Sequence, residues 1–298
     1  MKLTIITITY NNIEGLCRTI QSVQSQTFCD FEHIIVDGGS TDGSVELIRE
    51  YADNQAVRLS GCKANQASDT LPHALITSRS NCVSAYSVRW ISEPDNGIYD
   101  AQNKGILMAQ GEYCYFLNAG DTFCDENILQ RMMINAYTDI VYGNEVLIDE
   151  HRTKIGIAYG IKNPSFLHLY KSCMKHQASF ICRNLFETYG VYDVDMRICA
   201  DWDWFLRVIG FNDVTLEYRN VDVAYFDTNG YSYTHPEIER YETELILNRY
   251  MPSQLMQKDY ELFSRYAYIK IADKNPILRF FLRVIMKLAK LQQQWQLK

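Results

Sequence analysis

The chain has 298 residues, and 47% of them are hydrophobic, which is enough for one large core or for a core with an appendage. Its formal net charge of −7 argues against a protein that binds nucleic acid through a basic face. No apolar run is long enough to span a membrane, and the nine cysteines are scattered without a C-x-x-C pair, so we expect a cytoplasmic protein with free thiols.

The first half of the chain alternates between strand and helix patterns. Runs of β-branched and apolar residues predict buried strands, and apolar residues at three- and four-residue steps predict helices. The predicted strands are 3–9, 31–36, 89–92 and 113–117, and the predicted helices are 13–27, 44–51 and 99–109. Residues 52–86 are less regular, and we expect a long excursion there. Alternation of this kind predicts an α/β fold with a parallel, doubly wound sheet.

The second half is less regular and ends in a basic segment. A strand is predicted at 139–146 and a helix at 202–208, and beyond Pro236 the pattern is helical only. Residues 276–298 place apolar side chains in one stripe and lysines and arginines on a neighbouring face, without an acidic residue. A basic amphipathic helix of this kind is typical of a protein that lies on an anionic membrane surface. Docking on the rest of the chain or on a second subunit, as in a homodimer, is the alternative.

Polar residues follow four of the predicted strands, at the point where each strand ends. They are Thr9-Tyr10-Asn11, Asp37-Gly38-Gly39, the segment 93–97 (EPDNG) and the segment 118–121 (NAGD). In open α/β sheets, ligands bind beyond the carboxyl ends of the strands. Asp, Asn and Gly also cap helices and form turns, so one such end alone would favour a structural role. Four in series favour a site for a polar ligand.

The segment 34–44, IIVDGGSTDGS, is the most distinctive of these ends. It lacks the G-x-G-x-x-G pattern of a dinucleotide fold and the G-x-x-x-x-G-K-[ST] pattern of a P-loop, and its acids do not fit the spacing of an EF-hand. Asp37 remains as a carboxylate at a buried strand end. It can accept a hydrogen bond from an N–H or a hydroxyl, as the base or ribose of a nucleoside offers. Asp42 is predicted to cap the helix that begins near Ser44.

Five segments, in the order TITYNN, VDGGSTDGS, EPDNGIYDAQNKGI, FLNAGD and ADWDWFLR, resemble the family 2 inverting glycosyltransferases of the GT-A fold. The resemblance is closest to the group found in bacterial exopolysaccharide and capsule clusters, including the colanic-acid type. It implies a GT-A catalytic domain at 1–232, with a nucleotide-binding half at 1–121 and an acceptor half at 122–232. A C-terminal helical extension at 233–298 would follow.

The resemblance also implies roles for residues at the strand ends. Asp37 would contact the uracil or ribose, and Tyr10 would stack on the base. Thr9 and Asn12 would shape that pocket. Asp95 would reach the nucleoside or the donor sugar, and the sugar and diphosphate would be approached from one helical face by Asp100, Asn103 and Lys104. For Lys104, a solvated helix lysine is the alternative.

A metal site is implied at the end of the FLNAGD segment, where the family holds a divalent cation on acidic residues. Here Asn118 and Gly120 stand where many relatives carry acids, so Asp121 is the remaining carboxylate. One carboxylate binds a hard cation weakly, and we therefore expect Mg²⁺ or Mn²⁺ to bind together with the donor.

The resemblance places the general base of an inverting transfer at Asp201, with Asp203 as the competing candidate. Side chains two positions apart on a helix point in directions that differ by about 200°, so only one of these two acids can face the site. Trp202 would offer an apolar face to a sugar ring or would pack in the core. His176 would line the acceptor side, lie near the metal, or be structural. Gly230 and Ser232 fit a loop that closes over the diphosphate.

The function implied is inverting transfer of a sugar from a nucleotide-diphosphate sugar, UDP- more than GDP-linked, to a surface-polysaccharide or lipid-linked glycan acceptor. The protein would be cytoplasmic and peripheral on the inner face of the membrane. Two other classes remain open. A non-catalytic sugar-nucleotide or glycan-binding protein of the same fold would fit the missing acids, whereas a sugar nucleotidyltransferase would be expected to carry a glycine-rich basic loop near its start.

Overall fold

The computed structural model describes residues 1–61, 86–228 and 230–250, and beyond these only 258, 259, 261, 275–278, 280, 281 and 284. The chain divides into two compact units, Met1–Thr243 and Glu244–Lys298. Most of the predicted excursion at 52–86 and most of the predicted amphipathic helix at 276–298 lie outside the described residues. Within the described part, no helix is both long and apolar enough to cross a bilayer.

The first half of the chain forms the parallel part of a sheet, as predicted. Its elements are β1 (Leu3–Thr9), α1 (Ile13–Gln24), β2 (Phe31–Asp37), α2 (Ser44–Gly61), β3 (Ser87–Ser92), α3 (Ile98–Met108) and β4 (Tyr113–Phe116). Strand β1 pairs in parallel with β2 and with β4, and β2 pairs in parallel with β3. Every residue of β1 and β2 is buried, because helices cover both faces of a parallel sheet.

The second half extends the same sheet with mixed pairing. Its elements are β5 (Thr122–Phe123), α4 (Ile128–Met133), β6 (Ile140–Ile148), β7 (Lys154–Ala158), α5 (Phe166–Lys171), a 3-10 turn (His176–Ala178), β8 (Ser179–Cys182), α6 (Arg183–Tyr189), α7 (Ala200–Gly210), β9 (Leu216–Asp227), α8 (Tyr231–Thr234) and α9 (Pro236–Tyr250). The order of the described strands is β3-β2-β1-β4-β8-β6-β9-β5, and β7 pairs with β6. Strand β8 is antiparallel to both of its neighbours, while β6 and β9 are parallel.

Buried polar side chains in the central strands are paired with each other. His33 lies between the Thr7 hydroxyl, 2.9 Å from its Nε2, and the Tyr51 hydroxyl, 3.0 Å from its Nδ1. Burial lowers the pKa of His33 to about 3, so the imidazole is neutral in the folded protein. The Tyr51 hydroxyl in turn lies 2.9 Å from that of Tyr86. This chain of hydrogen bonds joins β2 to α2 and to the residue before β3.

Two local predictions need correction. Helix α2 continues to Gly61 instead of ending at Tyr51, since Ala, Gln, Arg and Leu after that residue are good helix formers and Gln55 is buried against Tyr86. Cys29 is disulfide-bonded, against the expectation of free thiols. The other described cysteines are free.

Candidate active site

The carboxyl ends of β1, β2 and β3 lie at one edge of the sheet, and Asp37 is fully buried there. Its Oδ2 accepts hydrogen bonds from the main-chain N–H of Gly39 at 3.1 Å and of Ser40 at 3.0 Å, and from the Ser92 hydroxyl at 2.6 Å. Its Oδ1 is buried and has no partner among the described residues. Oδ2 therefore stabilises the loop after β2, and Oδ1 can accept a hydrogen bond from a ligand.

The side chains of Tyr10 and Asp95 both lie close to the α-carbon of Gly38. A Cβ atom on Gly38 would lie 2.6 Å from Asp95 Oδ2 and 3.3 Å from Tyr10 Cδ2, so any larger residue would displace the Asp95 carboxylate. The Tyr10 ring is 65% exposed, and it is open to a planar ligand. The Thr9 hydroxyl is buried nearby on β1 and also has no partner among the described residues. Tyr10, Gly38, Asp95 and Asp37 thus lie together at the strand ends, and we call this group the nucleotide cleft after the ligand predicted for it.

The loops after β1 and β2 hold each other in place beside this cleft. Asn11, with φ at 46°, accepts the main-chain N–H of Thr41 at 2.8 Å through its side-chain oxygen. Asp42 accepts N–H groups at the start of both helices, from Ile13 at 2.9 Å and from Ser44 at 3.1 Å. Asp42 therefore bonds the first residue of α2, as predicted, and of α1 as well.

Asn12 was predicted to shape the nucleotide pocket and Asn103 to approach the donor, and the amides of both bond to main-chain groups of the protein. Asn12 caps α1 through Gly15 N–H at 3.0 Å, and its amino group donates to the carbonyl of Ala119 at 3.1 Å. Asn12 therefore shapes the site by fixing the loop that follows β4. Asn103 is buried and holds both main-chain groups of Tyr192, at 2.9 and 3.0 Å. This corrects the predicted donor contact of Asn103.

Asp100 and Lys104 bond to the EPDNG segment, and their predicted approach to the donor stays a prediction. Asp100 accepts the N–H of Asn96 at 2.9 Å, as an acid in the first turn of a helix often does. The Lys104 ammonium lies 2.9 Å from the Glu93 carboxylate and donates to the carbonyl of Pro94 at 3.1 Å. Together they fix the segment that carries Asp95.

Asp121 lies in the loop after β4 and is only 5% exposed. Gly120, with φ at 112°, makes the turn, and the Thr19 hydroxyl of α1 donates to the Asp121 carbonyl at 2.8 Å. Burial raises the pKa of Asp121 to about 7, and the nearby Glu145 adds to this, while the N–H of Asp227 and the charge of His176 oppose it.

His176 and Asp201 form a buried pair, with Nδ1 of the imidazole 2.9 Å from Oδ2 of the carboxylate. The Cys173 thiol lies 3.4 Å from the same oxygen, and Oδ1 accepts from the Tyr99 hydroxyl at 3.1 Å and the N–H of Trp202 at 2.9 Å. Burial alone would raise the pKa of Asp201, but the hydrogen bonds from His176, Trp202 and Cys173 and the charge of His176 together outweigh burial and hold the pKa below its usual value.

The imidazole Nε2 of His176 is buried without a partner among the described residues. Because Nδ1 donates to a carboxylate, Nε2 is an acceptor when the ring is neutral. Asp121, Glu145 and Asp201 all interact electrostatically with this histidine. We call these four side chains the acidic cluster.

Asp203 points away from the acidic cluster. It is 1% exposed, and its Oδ2 lies 3.9 Å from the Nε of Arg207, one turn along α7. Helical geometry turns the two acids of this segment to different sides, and Asp201 is the one that meets His176. The structure therefore brings together Asp121, His176 and Asp201 and leaves Asp203 out.

Trp202 does not offer an open face to a sugar. It is 6% exposed, and its indole N–H donates to the carbonyl of Leu169, which ties α7 to α5. Trp204 is fully buried and stacks on Phe186 with ring centroids 4.5 Å apart. Both tryptophans pack in the protein, so of the two roles predicted for Trp202 the structure shows core packing and not an open face for a sugar.

Gly230 and Ser232 follow β9, close in sequence to the residue that touches Asp121. The N–H of Asp227 lies 3.4 Å from Asp121 Oδ1, and the N–H of Gly230 donates to the Asp227 carbonyl at 3.3 Å. Ser232 is half-buried in α8. The segment that holds Gly230 and Ser232 therefore starts beside Asp121, and its closing over a diphosphate stays a prediction.

Two acids that matter to the site were not predicted. Glu145 lies in the middle of β6, is 2% exposed, and interacts with His176 and Asp201. An acid within a strand that begins and ends on apolar residues was the signal for it. Glu242 of α9 accepts the N–H groups of Ile198 at 2.9 Å and Cys199 at 2.8 Å and so caps the start of α7. Nothing in the local sequence marks it.

The chain alone supplies a limited set of metal ligands. Among the described residues, no group of three or more His, Cys, Asp or Glu side chains is arranged to hold a metal ion. The Asp121 carboxylate and the unpartnered Nε2 of His176 are oxygen and nitrogen donors that suit a divalent cation, provided that a ligand completes the set.

Comparison with known proteins bears on this arrangement. The sequence model described as Glycosyl transferase family 2 matches residues 4–67. A PGL/p-HBAD biosynthesis glycosyltransferase of Mycobacterium bovis (strain BCG / Pasteur 1173P2) is 30% identical over 231 residues, which cover 76% of this chain and 77% of the relative. The glycosyltransferase YwdF of Bacillus subtilis (strain 168) is 26% identical over 215 residues, covering 70% of this chain and 68% of the relative.

Solved structures share the fold at low sequence identity. S. aureus TarS 1-349 in complex with UDP has a TM-score of 0.53 at 13% identity, over 76% of this chain and 60% of that chain. The mannosyltransferase PcManGT from Pyrobaculum calidifontis, in complex with GDP-Man and Mn²⁺, has a TM-score of 0.56 at 15% identity, over 85% of this chain and 64% of that chain. The GT-A-like fold, a mostly parallel sheet with flanking helices, is thus confirmed. The narrower exopolysaccharide group stays a prediction.

Proposed function

The chain belongs to glycosyltransferase family 2, and we propose that it transfers one sugar, with inversion, from a nucleotide-diphosphate sugar to a glycan acceptor. The observation that carries this proposal is the unfilled Oδ1 of buried Asp37 beside the open ring of Tyr10. A buried acceptor next to an exposed aromatic face suits a nucleobase, which brings an N–H and a planar ring. Asp95 closes the other side of the nucleotide cleft.

The number of unfilled oxygens favours UDP over GDP as the donor nucleotide. Guanine presents two adjacent N–H donors that match both oxygens of a carboxylate, whereas uracil presents one ring N–H. Asp37 has one oxygen left, because the other already accepts three hydrogen bonds. Structural neighbours are described with UDP, UDP-GlcNAc and GDP-Man, so both nucleotides occur on this fold.

We assign the cation, Mg²⁺ or Mn²⁺, to Asp121 and to the unpartnered Nε2 of His176. A cation bound there would act as a Lewis acid and offset the charge of the leaving diphosphate. In the chain itself, Asp201 fixes the imidazole orientation through Nδ1 and leaves the lone pair of Nε2 available to bind a cation. The burial of Asp121 keeps water away from its carboxylate and strengthens any ion pair made there.

Asp201 is the proposed general base that takes the proton from the acceptor hydroxyl. Its lowered pKa keeps the carboxylate ionised at neutral pH. Its oxygens already accept four hydrogen bonds, so one must be given up. The weakest is from the Cys173 thiol, at 3.4 Å. We propose that the acceptor hydroxyl takes the place of this thiol at Oδ2 of Asp201.

The acceptor is proposed to be a surface-polysaccharide or lipid-linked glycan, reached from the membrane surface by the segment 276–298. Among the described residues of this segment, the exposed apolar side chains are Ile277, Leu278, Phe280, Phe281 and Val284. Apolar side chains beside a basic face favour an anionic bilayer. The full chain should sediment with anionic vesicles at low salt, and a chain ending at Lys274 should not. If both bind equally, the membrane role of the segment is wrong. If the chain ending at Lys274 has half the mass of the full chain in light scattering, the segment forms a homodimer contact.

A turnover assay separates the proposed enzyme from a sugar-nucleotide-binding protein of the same fold. The full-length chain is incubated with a panel of UDP- and GDP-sugars, with and without Mn²⁺, and nucleotide release is followed. We expect Mn²⁺-dependent release from at least one UDP-sugar, lost in Asp121→Ala and in Asp201→Asn. Tight binding of UDP-sugars without release above the level of these variants would leave only the binding function.

A further inference from the structure

Glu145 is a buried carboxylate that the protein itself leaves incomplete. It sits in the middle of β6 between Ala158 of β7 and Ala224 of β9, and only 2% of it is exposed. Its Oε1 is buried and has no hydrogen-bond partner among the described residues. Buried carboxylates are normally paired or hydrogen-bonded, because an unsatisfied one is costly. An unfilled one therefore points to a ligand.

A second buried strand glutamate shows what a completed carboxylate looks like in the same sheet. Glu32 of β2 is 0% exposed, and its Oε1 accepts from the Thr4 hydroxyl at 2.8 Å and from the N–H of Gln110 at 2.7 Å. Its Oε2 lies 3.4 Å from the guanidinium of Arg89. Glu32 is therefore held by the fold, in contrast to Glu145.

The surroundings of Glu145 indicate what kind of ligand would complete it. Lys175, His176 and Asp201 act on its charge, which places it in the acidic cluster, and burial raises its pKa. The Nε2 of His176 is the other unfilled atom of the cluster. A cation at Nε2 and Asp121 would leave Glu145 as an acceptor without a donor. What is missing there is an O–H or N–H group, and a sugar ring carries several hydroxyls at once.

We propose that Glu145 accepts a hydrogen bond from a sugar hydroxyl in the reaction centre and thereby positions a substrate. This inference rests on the proposed glycosyltransferase function and extends it to a residue that the family motifs do not include. The hydroxyl can come from the donor sugar or from the acceptor. Both have the same chemistry, and the two arms of the experiment below separate them.

The experiment compares Glu145→Met, which removes the acceptor at similar length, with Glu145→Gln, which keeps one acceptor oxygen. Glu32→Met is the matched control on a completed carboxylate. For each full-length variant, the melting temperature and the dissociation constant of UDP are measured first. One arm then measures the dissociation constant of the best UDP-sugar, and the other measures the acceptor KM.

We expect Glu145→Met to keep its melting temperature, or to raise it, because it removes an unsatisfied buried carboxylate. UDP binding should stay within twofold of wild type. The UDP-sugar dissociation constant or the acceptor KM should rise about tenfold, which tells the donor sugar from the acceptor. Glu145→Gln should recover part of this loss. Glu32→Met should lose thermal stability and keep its substrate constants.

The inference is overturned if both substrate constants of Glu145→Met stay within twofold of wild type, whatever its melting temperature. It is also overturned if UDP binding weakens as much as UDP-sugar binding, since the effect is then not at a sugar. If Glu145→Met does not fold, the same criteria apply to Glu145→Leu, which also removes the acceptor. Failure of the proposed function is seen separately, as a wild-type chain that neither binds UDP-sugars nor releases UDP.

Discussion

Asp37→Asn separates the two tasks that the structure gives to this carboxylate. The amide oxygen can take the place of Oδ2 and keep the hydrogen bonds from Gly39, Ser40 and Ser92. The amide NH₂ group then stands where the unfilled Oδ1 was. An acceptor in the nucleotide cleft is thereby replaced by a donor, which cannot bind the N–H of a base.

The expected effects on binding and on stability differ in size. A hydrogen bond to a charged group contributes about 1.5–3 kcal/mol, so the dissociation constant of UDP should rise about 10- to 150-fold. The loop bonds lose only their charge assistance, at a cost of about 1–2 kcal/mol, which corresponds to a fall in Tm of roughly 2–8 °C for a protein of this size.

Isothermal titration of UDP and thermal unfolding measure the two effects on the same samples. Asp42→Asn is the matched control, because Asp42 lies in the same loop and bonds the first residues of α1 and α2. It should lose stability and keep UDP affinity within twofold. A folded Asp37→Asn protein that binds UDP as tightly as wild type would refute the role of Oδ1 and with it the location of the nucleotide cleft.

Three further predictions follow from the geometry of the site. Asp201→Asn should keep UDP binding and lose about 10²–10⁴-fold in turnover, whereas Asp203→Asn should mainly lower thermal stability. If steady-state kinetics show the larger loss of turnover in Asp203→Asn, the choice of base is wrong. Burial raises the pKa of Asp121 from 3.8 to about 7, so the folded protein holds this proton more tightly than the unfolded chain does. The metal-free protein should therefore lose stability as the pH rises from 3.8 to about 7. Asp121→Asn should melt above wild type at pH 8 but not at pH 4. Gly38→Ala should weaken UDP binding at least tenfold with little change in Tm by calorimetry, because the new methyl group pushes apart the carboxylate and ring that face it, and unchanged binding would argue against their closeness.

The sequence predicts best those strands that are buried on both faces. Strands β1 and β2 are covered on both faces, so they read as unbroken apolar runs, and their predicted bounds agree with the structure to within one residue. Strands β5, β7 and β8 are short and take part in mixed pairing at or beyond the switch in strand direction. Their short sequences give too few residues for a clear period, so they were not predicted. Strand β9 was not predicted either, because most of its residues are only partly buried and form no continuous apolar run.

For the candidate site, the sequence predicts where residues lie but not which way their side chains point. Residues at the ends of parallel strands, such as Asp37 and Asp121, are visible because the topology brings those ends to one edge. Orientation depends on distant partners that a local pattern does not contain. Asn103 faces inward because it binds the main chain of Tyr192, and Glu145 enters the site only because the 3-10 turn with His176 packs near β6.

Transfer of a labelled sugar tests the central claim most directly. The full-length chain is incubated with Mn²⁺, the UDP-sugar that it cleaves, labelled in the sugar, and membranes of the producing organism. The account predicts that label moves into a lipid-extractable glycan, one sugar for each UDP released, and that Asp201→Asn stops both. Release of UDP with all the label left as free sugar, or no release at all, would contradict it.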